Sequence, residues 1–383
     1  MAQEAKPRVV AHQPSWRVAS RDVEAFVTVA GGQLGPVTFD RRRRAIRPYH
    51  VAPWAGERLE SALPVLRALR GDFFCMPFGA NAESYRGERH ALHGETANRN
   101  WTFESLRRAD DQTTLHLSMD TRVRTGRVDK YVRLIDGHNV LYCRHVISGM
   151  TGAMNFGHHA MLRFPDAPGS GVISTSRILF GATAPEPIEQ PANRGYSLLK
   201  PDATFKSLSR VATVTGEAAD LTHYPARRGY EDVVQVVADP RLDLAWTAVV
   251  FPAQRFAWFA LKDPRVLPTT LFWLSNGGRH YPPWSGRHVN VMGLEEVCGY
   301  FHLGLQRSAV KNPLSEKGIT TAHRLDPAQP MVVNYIMAVT PVPAGFQRVR
   351  RIAAISGGVR LFADTGRRVD VPLDTAFVRA VSD

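Results

Sequence analysis

The chain has 383 residues, 44% of them hydrophobic and 22% charged, a balance that fills at least one large core and excludes a disordered polymer. Its 48 Lys+Arg against 35 Asp+Glu give a net charge of +13 with His neutral, which biases encounters toward anions. The basic residues are nevertheless spread along the chain without the aromatic-interleaved stripe of a nucleic-acid reader, so no nucleic-acid partner is expected.

Residues 1–16 hold Gln, Glu, Lys, Pro and Ser, with no apolar segment before a small-residue cleavage site. They do not read as a secretory signal, and a cytoplasmic protein is expected. Residues 1–15 read as a flexible N-terminus and residues 16–383 as a single domain. The first strand-like run is 26–30, followed by the turn Gly31-Gly32-Gln33-Leu34-Gly35-Pro36. The basic run 41–44, with Arg47 just beyond, reads as a solvated loop. Leu59, Leu63, Leu66 and Leu69 stand near helical spacing and predict one short helix with Pro64 in its first turn.

From residue 114 to 119, apolar and polar side chains alternate as on a half-buried strand. Residues 131–135 and 140–147 flank Asp136-Gly137-His138-Asn139, which predicts an antiparallel hairpin. Residues 183–194 carry Pro185, Pro187 and Pro191, which cannot donate to a ladder, and read as a loop. Strand-like runs resume at 233–238, 244–251, 256–261 and 331–339. The longest near-apolar stretch, 244–253, is about half of the ~20 residues a membrane helix needs, so no membrane association is expected. Cys75, Cys143 and Cys298 are too few and too scattered for a disulfide framework or a thiolate zinc site and read as small core residues. The fold class is all-β: antiparallel sheets with few short helices.

Four clusters break the plain alternation. The first is Phe74-Cys75-Met76-Pro77-Phe78-Gly79-Ala80-Asn81, followed by His90 and by the segment from His93-Gly94 to Arg99-Asn100-Trp101. The second is Asn155-Phe156-Gly157-His158-His159. The third runs from Trp273 through Gly277-Gly278-Arg279 to Trp284, and the fourth is Gly293-Leu294-Glu295-Glu296. An imidazole (ordinary pKa ~6.5) and a carboxylate (~4.3, raised by burial) can share proton transfer near neutrality. Acid and base on opposite sides of a hemiacetal are what ring opening of a sugar requires. His90, His93 and Glu95 lack a late ligand at metal-binding spacing, and no metal is expected.

In this order the clusters resemble the aldose 1-epimerase (galactose mutarotase-like) superfamily. Met76-Pro77-Phe78-Gly79 is similar to its Pro-Phe-Gly turn, and His93-Gly94 with Arg99 and Trp101 to its His-Gly segment. Gly157-His158-His159 is similar to its Gly-x-His segment and Gly293-Leu294-Glu295 to its late Gly-Leu-Glu. The resemblance implies a β-supersandwich with a sugar-binding cleft, a small-molecule carbohydrate as partner and no cofactor. It also implies an isomerase of carbohydrate metabolism that interconverts anomers, a His acting as general acid on the ring oxygen and a Glu as general base on the anomeric hydroxyl.

Carried onto this chain, the resemblance makes His159 the acid, with His158 as its alternative, and Glu295 the base, with Glu296 as its alternative. Neighbours on a strand face opposite ways, so only one of each pair enters the cleft. His93 and Arg99 would hydrogen-bond sugar oxygens, although the family sets its Arg directly inside the His-Gly segment, where this chain has residues 95–98 before Arg99. Trp101 or Trp284 would give a sugar face an apolar wall, and Trp273 is assigned to the core. Arg279, beside Gly277 and Gly278, would contact a phosphorylated sugar. An Asp that holds hydroxyls has two candidates, Asp232 and Asp243. The same fold also admits another sugar isomerase or lyase, or a sugar-binding module without turnover.

Overall fold

The computed structural model describes residues 6–59 and 63–381. Burial alternates along Gln112–Thr121 and Gly126–Ile135, as expected where one face of a sheet packs and the other meets water. The tetrad at 136–139 reverses the chain, and Val140–Ser148 returns antiparallel with Cys143 opposite Val132. Deeper in the molecule the alternation disappears. Every residue of Glu231–Ala238, Ala245–Phe251, Phe256–Lys262, Thr269–Ser275 and Val291–Cys298 is buried, because these strands are covered on both faces.

Two large antiparallel sheets result. Nine strands run from His223–Tyr224 at one edge, through Ala245–Phe251 and Met331–Pro341, to Thr102–Ala109 at the other. Eight strands form the second sheet, whose middle is Glu231–Ala238, Thr269–Ser275, Val291–Cys298 and Phe156–His158, with Phe74–Cys75 at its edge. The sheets share one core, to which the second contributes Phe156, Phe272 and Leu294 and the first Leu117, Trp258 and Met337. A three-stranded sheet, Val349–Ile355, Gly358–Ala363 and Arg368–Pro372, covers the outer face of the nine-stranded sheet through Val359 and Leu361. Loops and short helices cover the outer face of the eight-stranded sheet.

Three short α-helices occur among the described residues: α1 (Pro64–Ala68), α2 (Gly94–Asn98) and α3 (Leu305–Ala309). Pro64 opens α1, where its missing N–H costs nothing. No helix among the described residues is long and apolar enough to cross a membrane. Residues 184–194 form a loop with one 3-10 turn at Pro191–Asn193, and Thr183 ends the strand Ile178–Thr183 before it. Arg41 and Arg44 lie on a turn and donate to the Ser20 and Arg255 carbonyls, both at 2.7 Å. All three cysteines are buried and free, and burial pushes their thiols up in pKa.

The N-terminus departs from expectation. Residues 1–5 lie outside the described residues, but Arg8–Val10 and Gln13–Ala19 are paired strands. The buried Arg70 guanidinium donates to the Val10 and Ala11 carbonyls at 3.1 and 2.9 Å, which anchors a stretch whose composition suggested a loose tail.

Candidate active site

Parity along Val291–Cys298 positions the first functional side chain. Met292, Leu294 and Cys298 enter the core between the sheets, while Val291, Glu295 and Val297 face the outer side. On the neighbouring strand segments the registers Gly157↔Val297 and Ala160↔Leu294 flank a break at residue 159 and set His159 opposite Glu295. The side chains meet, with Nε2 3.3 Å from the Glu295 carboxylate. The His159 amide donates to the Phe73 carbonyl at 2.9 Å. Its ring stacks on Phe73 with centroids 4.6 Å apart and meets His93 and Trp273 edge-on.

Their sequence neighbours turn the other way. His158 Nδ1 lies 2.8 Å from the Asp72 carboxylate inside the inter-sheet core. Glu296 forms a buried ion pair with Lys262 and accepts from Thr270 and Thr247 hydroxyls at 2.6 and 2.7 Å.

Two glycines of the motifs are required by space. A Cβ on Gly293 would lie 2.6 Å from a Glu295 carboxylate oxygen and 3.0 Å from Trp273 Cβ. Gly94 has φ +72°, and a Cβ there would stand 1.9 Å from the Met76 carbonyl oxygen. The chain at His93–Gly94 is thereby pressed against Met76–Pro77, and His93 Nδ1 accepts the Gly79 amide at 3.3 Å.

His159 and Glu295 line a cavity of about 400 Å³ on the outer face of the eight-stranded sheet. Val65, Leu66 and Leu69, from α1 and the residue after it, form one wall. His93, His302, Trp273, Trp284, Arg279 and Tyr281 also line it. The Arg279 guanidinium lies 4.5 Å from the Trp284 ring centroid and 5.4 Å from that of Trp273. Its Nε donates to Glu189 Oε1 at 2.5 Å, and the Tyr281 hydroxyl donates to the same oxygen at 3.0 Å. Behind this layer, buried Glu231 accepts from the Trp273 indole N–H and the Ser275 hydroxyl at 2.9 and 2.8 Å.

The structure therefore gathers His93, His159, Arg279, Trp284 and Glu295 at one cavity and leaves Arg99 and Trp101 out of it. Arg99 donates to Glu95, four residues earlier and at the start of α2, and to the Asp120 carbonyl, both at 2.8 Å. Trp101 is buried in the inter-sheet core, its indole N–H held by the Thr96 carbonyl at 3.0 Å. Trp273, assigned to the core, is buried in the apolar cluster on the outer face of the eight-stranded sheet and also borders the cavity. Neither aspartate candidate reaches it: Asp232 accepts the Leu198 and Leu199 amides, and Asp243 pairs with Arg379. Phe73, Glu189, Tyr281 and His302 are lining residues that the sequence reading did not select.

Burial dominates the electrostatics. It pushes the Glu295 carboxyl up to about 8, opposed by nearby Arg279, and the His159 imidazole down to about 4. Burial also lowers His302 to about 4 and His93 well below the ordinary value. Burial thus favours uncharged imidazoles and a protonated Glu295 carboxyl. Among the described residues no group of three or more His, Cys, Asp or Glu is arranged to hold a metal ion.

No family model matches the sequence, and no curated protein does. Solved structures match in fold. One, described as a candidate aldose 1-epimerase from Klebsiella pneumoniae, superposes with a TM-score of 0.58 at 15% identity over 89% of this chain and 83% of its own. A galactose mutarotase-like protein from Clostridium acetobutylicum gives 0.55 at 9% identity over 89% and 99%. A galactose mutarotase related enzyme from Lactobacillus acidophilus gives 0.53 at 11% identity over 86% and 99%. The chain has the galactose mutarotase-like β-sandwich fold.

Proposed function

We propose that this protein is a sugar mutarotase in which His159 and Glu295 form the acid–base pair. The observation that supports this reading is their cross-strand contact at 3.3 Å in a cavity of about 400 Å³. An anomeric centre carries its ring oxygen and its hydroxyl on one carbon, within reach of two groups so placed. Opening the ring needs a proton delivered to the ring oxygen and one removed from the hydroxyl. The pair holds one transferable proton between two sites, so one member donates as the other accepts.

The resemblance makes the imidazole the donor. Burial favours the proton on Glu295, so the carboxyl donates first and the imidazole accepts. After rotation about the first carbon–carbon bond, closure on the other face runs the two transfers backwards, and the proton balance closes in either sense. Neutral His93 and His302 are available to hydrogen-bond oxygens near the ring, and Trp273 and Trp284 to pack against its C–H face.

NMR exchange between anomer signals, on a panel of reducing sugars, tests the reading. Catalysed exchange is expected, slowed ~10²–10⁴-fold in Glu295→Gln, the usual contribution of one positioned acid–base group. Glu296→Gln, whose carboxylate lies in the inter-sheet core, should keep exchange in its folded fraction. Saturable sugar binding without exchange in the unaltered protein would replace this reading with that of a binding module.

A further inference from the structure

The cavity is poor in the groups that hold a free sugar. Among the described residues no Asp, Asn, Gln, Ser or Thr lines it. Three of its polar side chains occupy one another, since Arg279 and Tyr281 both donate to Glu189. His93 has already committed Nδ1 to the Gly79 amide. That leaves the His159–Glu295 pair, His302, His93 Nε2, the second Glu189 oxygen and the remaining nitrogens of Arg279, all on the side away from α1, for a ligand. Opposed to these few groups are Val65, Leu66 and Leu69, with Leu92 and Ile188 beside them. A ring hydroxyl turned toward this wall would meet hydrocarbon and no partner, which is costly, whereas an apolar group in that place would not.

We infer that the substrate is an aldose with a free anomeric hydroxyl and an apolar alkyl or aryl substituent elsewhere on the ring, seated against the α1 wall. This rests on the mutarotase reading for the sugar and adds the class of sugar. Polar groups at the His159–Glu295 pair read the hemiacetal, and Leu66, Leu69 and Ile188 read the substituent. The volume, about 400 Å³, falls within the ~300–1,000 Å³ of sites that enclose ligands larger than a single polar fragment.

Titration calorimetry with galactose, with its four mono-O-benzyl ethers at positions 2, 3, 4 and 6, and with benzyl alcohol tests the inference. At least one ether should bind ~10-fold or more tightly than galactose, the usual effect of burying one sizeable apolar group. That preference should shrink below ~3-fold in Leu66→Asn and, independently, in Ile188→Asn, with folding of both checked by circular dichroism. Equal affinity for galactose and all four ethers overturns the inference, as does benzyl alcohol binding as tightly as the best ether. Anomer exchange, followed separately by NMR with the same compounds, bears on the mutarotase reading: a benzyl preference without exchange would defeat that reading and leave the class of ligand standing.

Discussion

Gly293 shows how little tolerance the site has at the scale of one atom. Glu295 can lean toward His159 only because the residue two positions earlier on the same face has no side chain, and Trp273 occupies the space beside it. Gly293→Ala should therefore push the carboxyl into the cavity and away from His159, or press on the indole. A cost of ~1–3 kcal/mol is expected from overpacking, read from denaturant unfolding. Anomer exchange should fall more than stability does, because a carboxylate moved by an ångström no longer shares a proton with Nε2. Full exchange in a destabilised variant would show that the Glu295 position is not what limits the reaction.

At the scale of elements, the C-terminal three-stranded sheet is a cover. Val359, Leu361 and Val371 are buried against Trp246, Phe259 and Ile336 on the outer face of the nine-stranded sheet. A chain ending after Pro341 would expose that face as one contiguous apolar patch, a condition that drives association. Such a truncation should elute from size exclusion as aggregate, and a monodisperse, natively packed product would show that the cover is dispensable.

The same scale explains what could be read in advance. The runs at 233–238, 256–261 and 331–339 were legible because strands buried on both faces are continuously apolar. Glu295 and His159 were legible through motif and parity, since a one-residue shift reverses a side chain's face. Arg99 was misplaced although the sequence held the signal: Glu95 stands four residues before it, the spacing at which a helix pairs opposite charges. Glu189 gave no such signal. Its partners Arg279 and Tyr281 lie some ninety residues away in another loop, and only the assembled sheet brings the two loops together.

For the whole molecule, the price of so much buried titratable chemistry is a narrow pH range of stability. Burial lowers His50, His159 and His302 to about 4, and His93, His145 and His288 well below the ordinary value. Unfolding lets these imidazoles take up protons, so their contribution is complete above an unfolded pKa of ~6.5 and is lost as pH falls from there toward the folded values. The buried carboxyls act in the opposite sense. Glu295 at about 8, Glu231 at about 7 and Asp232 at about 6 all stand above their unfolded values. Unfolding lets them release protons, so their contribution is complete below ~pH 4 and is lost as pH rises through the folded values. The two sets together place the stability maximum near neutrality, with a histidine limb on the acid side and a carboxyl limb on the alkaline side. Glu295→Gln, neutral at every pH, should lack part of the alkaline limb. Its thermal midpoint should rise relative to the unaltered protein as pH goes from ~4 to ~8 and keep that gain above, with little difference in slope below pH ~4. Parallel midpoint curves across that range would mean that the Glu295 carboxyl has the same proton affinity folded and unfolded, and the neutral acid–base pair would lose its physical basis.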